Sequence, residues 1–319
     1  LWIGYRRLGR AGIALVAAII AVIVRGFGLS VLTQPWNPYM PLLAWLVILL
    51  AAWAVLDGDD LMLIPLVVAA SVAAQTHIPY LLMAGAVGLL AVAVVLWRWW
   101  RARRSSGDGA RPPRSVLITI GVFGALWLAP LVDQVVRDPG NIKRLLDHFG
   151  SPDEEPIGYG AGMRLMLRHL DVVGAHLGLL VGQERFLEEG FDPDGPIWAG
   201  AIVLIAWVAS FVVAGQLRHR SLLALHSLLA VTLVLTTLSM SRIFGQRWYY
   251  LTLWAWVTTT LIVVATLWTA VVWLRRARPS IGDALSRDRI AITAVAVALL
   301  ATASMVVLAP STDHPEEYL

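Results

Sequence analysis

Nine mostly apolar stretches, each close to the length of a membrane-spanning helix, dominate this chain of 319 residues. A helix needs about 20 such residues to cross a bilayer. The stretches lie at 11–32, 39–56, 61–77, 79–97, 115–132, 197–215, 221–240, 249–274 and 290–309. Apolar residues make up 58% of the chain and charged residues 14%, whereas soluble domains carry about 45–50% and about 25%. The pattern predicts an all-α, polytopic transmembrane helical bundle of about nine spans. It excludes a soluble globular domain, a disordered chain and a nucleic-acid-binding module.

The third and fourth stretches form one apolar run that is interrupted only at 75–80. A single helix across 61–97 would be about 55 Å long, which is too long for a bilayer. Pro79 and the polar residues before it therefore predict a tight hairpin between two spanning helices.

Arginines cluster in four of the segments that flank the apolar stretches. They are Arg6, Arg7 and Arg10; Arg98, Arg101, Arg103, Arg104, Arg111 and Arg114; Arg218 and Arg220; and Arg275, Arg276, Arg278, Arg287 and Arg289. With nine spans, all four segments fall on one side, which the positive-inside rule assigns to the cytoplasm. The net charge of +4 thus reflects topology rather than a nucleic-acid partner. The acidic connection at 57–60 is discordant, but acidic residues weigh little in this rule.

The longest connection divides the chain into two helical sets, 1–132 and 197–319, joined by an extracytoplasmic helical loop at 133–196. This loop is acidic and far longer than the usual connector. We expect a short helix at 139–149, a Gly/Pro-rich loop at 150–162 and an amphipathic helix near 163–189. That last helix would lie along the outer membrane surface, with one face formed by Leu165, His169, Val172 and His176.

Polar side chains at the outer ends of the spans are candidates for function, because polar groups at membrane depth are costly. Gln75 and His77 either line an outward-facing cavity that binds a sugar or phosphate, or lie in interfacial water. Asp133 and Gln134 follow the fifth span. The carboxylate of Asp133 either acts as a general base or binds hydroxyls, or it only ends a helix before a turn at 138–141.

Three arginines lie on or near the outer side, where the positive-inside rule disfavours them: Arg25, Arg242 and Arg247. A guanidinium can bind a lipid phosphate through two parallel hydrogen bonds. The alternative is that these side chains extend to the interface or pair with the acidic loop. Trp248, Tyr249 and Tyr250 are expected in the outer aromatic belt.

Cysteine is absent, which excludes disulfides, thiolate metal centres and thiol catalysis. The histidines of the long loop form no compact ligand motif, so we expect no metal site there. The chain begins at Leu1 without a signal-peptide cleavage motif, and we expect it to be a piece of a longer protein.

Three short motifs at the outer ends of the spans carry a family resemblance. They are Trp-Asn-Pro-Tyr at 36–39, Gln-Thr-His-Ile-Pro-Tyr at 75–80, and Trp-Leu-Ala-Pro-Leu-Val-Asp-Gln at 127–134 with Pro-Gly-Asn at 139–141. Together they resemble actinobacterial GT-C-type membrane glycosyltransferases, which include protein mannosyltransferase-like and arabinosyltransferase-like groups. The resemblance covers roughly residues 30–260.

The resemblance implies transfer of a sugar from a polyprenyl-phosphate carrier to a glycan, lipid or protein acceptor. The reaction would take place on the extracytoplasmic face of a bacterial cytoplasmic membrane, among membrane lipids. The implied substrate-binding residues are Gln75, His77, Tyr80, Gln134, Arg242 and Arg247. A carboxylate base would remove the acceptor's proton, and positive groups would stabilise the leaving phosphate.

The key acidic residue of such enzymes usually lies in the first outer loop. The corresponding loop here, 34–39, contains no carboxylate. We therefore expect the main base upstream of Leu1, with Asp133 as a secondary pocket residue. No cofactor is implied, and dependence on a divalent metal stays open.

Three other functions remain as alternatives. A lipid or solute transporter would place ionisable residues near mid-membrane and show inverted repeats, whereas here the polar residues gather at one face. An O-antigen-type glycan ligase or polymerase shares the donors and the long outer loop, so the sequence separates it poorly. A non-catalytic scaffold would need neither the outer arginines nor the Gln75–His77 tip.

Overall fold

The computed structural model describes residues 1–33, 35–106, 113–150, 154–172, 195–245, 247–278 and 286–308. Within these ranges the chain is almost entirely helical, and the one β-type feature is an isolated bridge between Pro156 and Phe244. The helices are α1 (Trp2–Leu8), α2 (Arg10–Thr33), α3 (Leu42–Leu56), α4 (Leu63–Thr76), α5 (Pro79–Ser106), α6 (Arg114–Val136), α7 (Asn141–Gly150), α8 (Gly158–His169), α9 (Trp198–Gln216), α10 (Arg220–Ser241), α11 (Ala255–Ala277) and α12 (Arg287–Leu308). Short 3-10 turns occur at Asp60–Met62 and Tyr249–Leu251.

An apolar helix occurs at each of the nine predicted stretches, so the prediction of an all-α polytopic bundle is confirmed. Among the described residues, seven helices are long and apolar enough to cross a membrane: α2, α5, α6, α9, α10, α11 and α12. The other two, α3 and α4, are shorter. The chain is thus a multi-pass membrane protein. The expected hairpin is also present, because α4 ends at Thr76 and α5 begins at Pro79.

The acidic turn at 57–60 collects arginines from three other parts of the chain. Arg6 binds Asp59 through two hydrogen bonds of 3.0 and 3.1 Å. The remaining ion pairs of this cluster join Arg7 to Asp57, Arg98 to Asp60 and Arg220 to Asp57. We call the end of the bundle that carries this cluster the basic end.

The ion pairs explain the acidic residues that looked discordant in the sequence. Because they join α1, the α3–α4 turn, α5 and the start of α10, these segments meet at one end of the bundle, as the arginine pattern predicted. Arg276 of α11 adds a hydrogen bond to the Leu217 carbonyl near the end of α9. The opposite end therefore carries the α2–α3, α4–α5 and α10–α11 connections.

The first part of the helix that we expected near 163–189 lies in α8, which begins earlier, at Gly158. One face of α8 packs against α9, α10 and α11, and residues 173–189 of the expected helix lie outside the described residues. Leu165 and His169 are both buried, and the Thr259 hydroxyl donates to the His169 carbonyl at 2.9 Å. Val172 is half-buried, and His176 lies outside the described residues. The short helix expected at 139–149 is confirmed as α7.

Glycines make this burial possible, because they let backbones approach closely. A Cβ on Gly200 of α9 would lie 1.7 Å from the Leu167 carbonyl oxygen. On the other side of α8, a Cβ on Gly162 would lie 2.8 Å from the Ser241 nitrogen. The helix is therefore held by contacts that admit no side chain at either position.

Candidate functional site

The α4–α5 hairpin at the end opposite the basic end holds two polar atoms without a hydrogen-bond partner in the described residues. They are Nε2 of His77 and the hydroxyl of Tyr80. Tyr80 is fully buried, and its ring lies 6.1 Å from the His77 ring, centroid to centroid. Because an unpaired buried polar atom costs about 1–3 kcal/mol, this pair is a candidate for hydrogen bonding to a ligand.

Burial lowers the pKa of His77 to about 4. The imidazole is thus neutral at physiological pH and can donate one hydrogen bond and accept one. A neutral donor–acceptor pair of this kind suits a sugar hydroxyl better than it suits a phosphate.

Below the hairpin, aromatic rings connect Tyr80 to the rest of the bundle. Trp45 of α3 lies 6.1 Å from Tyr80 and 6.4 Å from Trp254, with both ring pairs edge to face. The Trp45 indole also donates to the Thr258 hydroxyl at 3.1 Å. These contacts fix the Tyr80 side chain inside the bundle, directly behind His77.

The other residues expected near this hairpin have protein partners. The Gln75 amide donates to the Leu126 carbonyl at 3.1 Å. Gln134 accepts from the Ile142 nitrogen at 2.8 Å, an interaction that caps α7. These amides therefore also hold α6 against α4 and α7.

Asp133 lies at the end of α6, half-buried. One carboxylate oxygen pairs with Arg137 at 3.0 Å, whereas the buried Oδ2 has no hydrogen-bond partner among the described residues. The free oxygen can accept a hydrogen bond from a hydroxyl.

An apolar groove runs along α4, between α5 and α6, towards the hairpin. Helix α4 forms its floor, and α5 and α6 form its walls. Its volume is about 430 Å³. Along α5 it extends from Leu81 to Val92, about 16 Å at 1.5 Å per residue. Its lining is apolar except for Ser71 and Thr119, and exposed side chains such as Leu89 and Phe123 flank its opening. Leu81 adjoins Tyr80 in the chain, so the groove ends beside the hairpin.

A second group of polar and aromatic residues forms where the α2–α3 and α10–α11 connections meet. The hydroxyls of Tyr39 and Tyr249 are hydrogen-bonded. The Trp36 ring lies 4.7 Å from that of Tyr250. Burial and the bond to Tyr249 raise the pKa of Tyr39 well above its usual value, so it stays protonated. We call the rings of Trp36, Trp248 and Tyr250 the aromatic face. Trp248 is exposed, whereas Trp36 and Tyr250 are half-buried.

The three outer arginines occupy different environments. Arg242 caps the end of α10 and Arg247 lies in the following connection, and both are exposed. Arg25 is buried and donates to the Ser304 hydroxyl of α12 at 3.0 Å. Arg25 therefore joins two helices, whereas Arg242 and Arg247 are accessible to an anion.

The sequence did not identify the pairing of residues 36–39 with 248–250. These segments are about 210 positions apart, and no local pattern links them. The structure also begins α11 at Ala255 rather than at residue 249. The aromatic residues thus lie in a connection, not at the start of a spanning helix. In the described ranges, no three His, Asp or Glu side chains are grouped so that they could hold a metal ion.

Comparison of this chain with protein-family models, with curated proteins and with solved structures finds no match. The chain's own residues and motifs are therefore the basis for proposing a function.

Proposed function

We propose that this protein is a membrane glycosyltransferase that takes a sugar from a polyprenyl-phosphate carrier and transfers it to an acceptor outside the cytoplasm. The observation that carries the proposal is the position of the apolar groove, whose lining reaches Ala74 and Leu81 on either side of the α4–α5 hairpin. A lipid chain in the groove would bring its polar head to His77 and Tyr80. The motif resemblance at 75–80 and 127–134 supports the same function.

The groove suits the isoprenoid part of the donor, because its lining is apolar and it opens towards the bilayer. Each buried methylene contributes about 0.8 kcal/mol. A soluble nucleotide-sugar would gain nothing from such a surface. The groove therefore favours a donor that stays in the membrane.

The polar residues would take the sugar and the phosphate. His77, Tyr80 and Asp133 offer hydrogen-bonding atoms for sugar hydroxyls, and the exposed guanidiniums of Arg242 and Arg247 offer charge to a phosphate. In the reaction, the acceptor oxygen bonds to the anomeric carbon as the bond between that carbon and the phosphate oxygen breaks. The acceptor proton passes to a carboxylate base, and the bonding electrons leave with the phosphate.

The direct test is incubation of membranes that contain the full-length gene product with radiolabelled polyprenyl-phosphate sugars, followed by separation of labelled acceptors. We expect transfer, and we expect His77→Ala and Arg247→Ala to lower its rate about tenfold or more, since each removes a hydrogen-bonding group. Arg101→Ala, an exposed arginine near the basic end, is the matched control and should keep full activity. Full activity in both variants would rule out a site at these residues.

A second experiment tests the groove. Gly85 lines it, and a Cβ there meets nothing within 4 Å, so Gly85→Leu adds bulk to the groove without displacing the backbone. We expect a raised KM for the lipid donor with little loss of thermal stability. Gly121→Leu on α6 is the control, because that glycine is equally uncrowded but does not line the groove. Equal KM values in both variants would contradict a donor chain in this groove.

A further inference from the structure

We infer that the aromatic face binds a carbohydrate chain, so that the acceptor is a glycan rather than a protein or a lipid. This inference rests on the proposed function only where it calls the glycan the acceptor. The binding of the glycan does not itself require transfer. The C–H faces of sugar rings pack against flat aromatic rings, and their hydroxyls need polar partners around the edge. Four features of the aromatic face support this inference: the geometry of its rings, their rigidity, the polar residues near them and their location in the fold.

The geometry of the aromatic face leaves one ring open to a flat ligand. The Trp248 ring stacks on that of Tyr250, at 13° with centroids 6.2 Å apart, and Tyr250 is half-buried. Trp36 meets Tyr250 at 69° and closes one side. Trp248 is 48% exposed, so its ring is accessible to a ligand.

The aromatic face is held rigidly from behind. Tyr39 is buried, and its hydroxyl bonds to that of Tyr249, which ties the α2–α3 connection to the α10–α11 connection. The Trp254 indole donates to the Leu251 carbonyl at 2.8 Å and closes the turn beneath the rings. Preorganised rings lose little conformational entropy on binding, which favours weak ligands such as glycans.

Polar residues lie close to the rings along the chain and offer hydrogen-bonding groups for a sugar's hydroxyls. Arg247 directly precedes Trp248 and is exposed. The Glu154 carboxylate approaches Gly245, since a Cβ on that glycine would lie 3.0 Å from its Oε2. Asn37 is exposed beside Trp36. A surface that combines aromatic faces with donors and acceptors matches a carbohydrate better than it matches acyl chains.

The location distinguishes this surface from an aromatic belt. Belt residues usually project from spanning helices into the headgroup region. These rings instead lie in two connections outside the helices, pack against one another, and lie at the end where the groove reaches His77 and Tyr80. A glycan on them would lie near the donor's sugar.

The test is binding of soluble oligosaccharides, with mannohexaose and an arabinofuranose hexamer as probes, to the purified full chain in nanodiscs without any donor. Saturation-transfer NMR and titration should show saturable binding of at least one probe. Trp248→Ala and Tyr250→Ala should weaken it about tenfold, from the loss of an aromatic contact. Trp100→Ala is the matched control, because Trp100 is 45% exposed but lies towards the basic end.

Two results would overturn the inference. One is the absence of binding of either probe, or binding that Trp248→Ala leaves unchanged. The other is a result with brominated phosphatidylglycerol, a lipid that quenches the fluorescence of tryptophans it contacts. If it quenched the wild-type protein more strongly than Trp248→Phe, Trp248 would lie in the lipid. A KM for the glycan acceptor that is unchanged in Trp248→Ala would refute the glycan surface alone, whereas glycan binding without any transfer would refute only the enzyme.

Discussion

Substituting Gly200 by alanine tests whether α8 packs closely against α9. The added Cβ would fall 1.7 Å from the Leu167 carbonyl oxygen, whereas real Cβ contacts stay beyond 3.0 Å. Helices α8 and α9 would therefore have to separate by more than an ångström. Overpacking of this kind costs about 1–3 kcal/mol. At about 2–4 °C per kcal/mol for chains somewhat shorter than this one, we expect Tm to fall by several degrees.

The measurement is thermal unfolding of the full chain in detergent, followed by fluorescence and by loss of the monodisperse peak. Gly215→Ala is the matched control, because Gly215 lies on the same helix with nothing within 4 Å of a Cβ. Alanine is intrinsically the better helix former by up to about 1 kcal/mol, so this variant should match or exceed the wild-type Tm. If both variants melted together, the close contact between α8 and α9 would be refuted.

Cysteine labelling gives an independent readout, because the chain has no cysteine of its own. Leu165 is 1% exposed and Met163 44% exposed on the same helix. We expect a soluble maleimide to label Met163→Cys quickly and Leu165→Cys only after denaturation. Equal labelling rates would contradict the packing of one face of α8 against the bundle.

Three further predictions follow from contacts at the two ends of the bundle. Tyr80→Phe removes a buried hydroxyl that has no hydrogen-bond partner among the described residues, so it should keep or raise Tm while lowering sugar transfer. Unchanged transfer would exclude this hydroxyl from the site. Asp57→Asn should lower Tm by several degrees, because it breaks the ion pairs with Arg7 and Arg220 at a cost of about 1–3 kcal/mol. The control, Asp147→Asn on exposed α7, should leave Tm unchanged. Equal Tm values for the two variants would contradict a stabilising cluster. His77 has its pKa lowered to about 4 in the folded chain, against about 6.5 when unfolded, so acidification from pH 6.5 to pH 4 protonates the unfolded state first and lowers stability. His77→Gln should flatten that part of a Tm-against-pH curve, and parallel curves would show that the imidazole is not buried.

The sequence predicted the spans well because a bilayer imposes a simple length and polarity rule on helices. It also predicted that the arginine-rich segments share one end. The ion pairs of the acidic turn are consistent with that prediction, but their partners lie too far apart in sequence to be paired by inspection.

The errors arose where packing rather than the bilayer decides the structure. Helix α8 is amphipathic, as its sequence pattern predicts, and its apolar face packs against the bundle. The closeness of that packing depends on Gly162 and Gly200, which allow backbone contacts that a hydropathy pattern cannot reveal. The aromatic run at 249–254 continues the apolar stretch in composition, yet it forms a turn closed by hydrogen bonds to Tyr249 and Leu251.

The most direct test of the account is the sidedness of the two ends. Asp147→Cys on α7 and Arg101→Cys near the basic end should each be treated with a membrane-impermeant maleimide, in intact cells and after permeabilisation. We predict that Asp147→Cys is labelled in intact cells and that Arg101→Cys is labelled only after permeabilisation. The reverse pattern would put the hairpin, the aromatic face and Asp133 in the cytoplasm, and it would contradict the proposed transfer of sugars outside the cell.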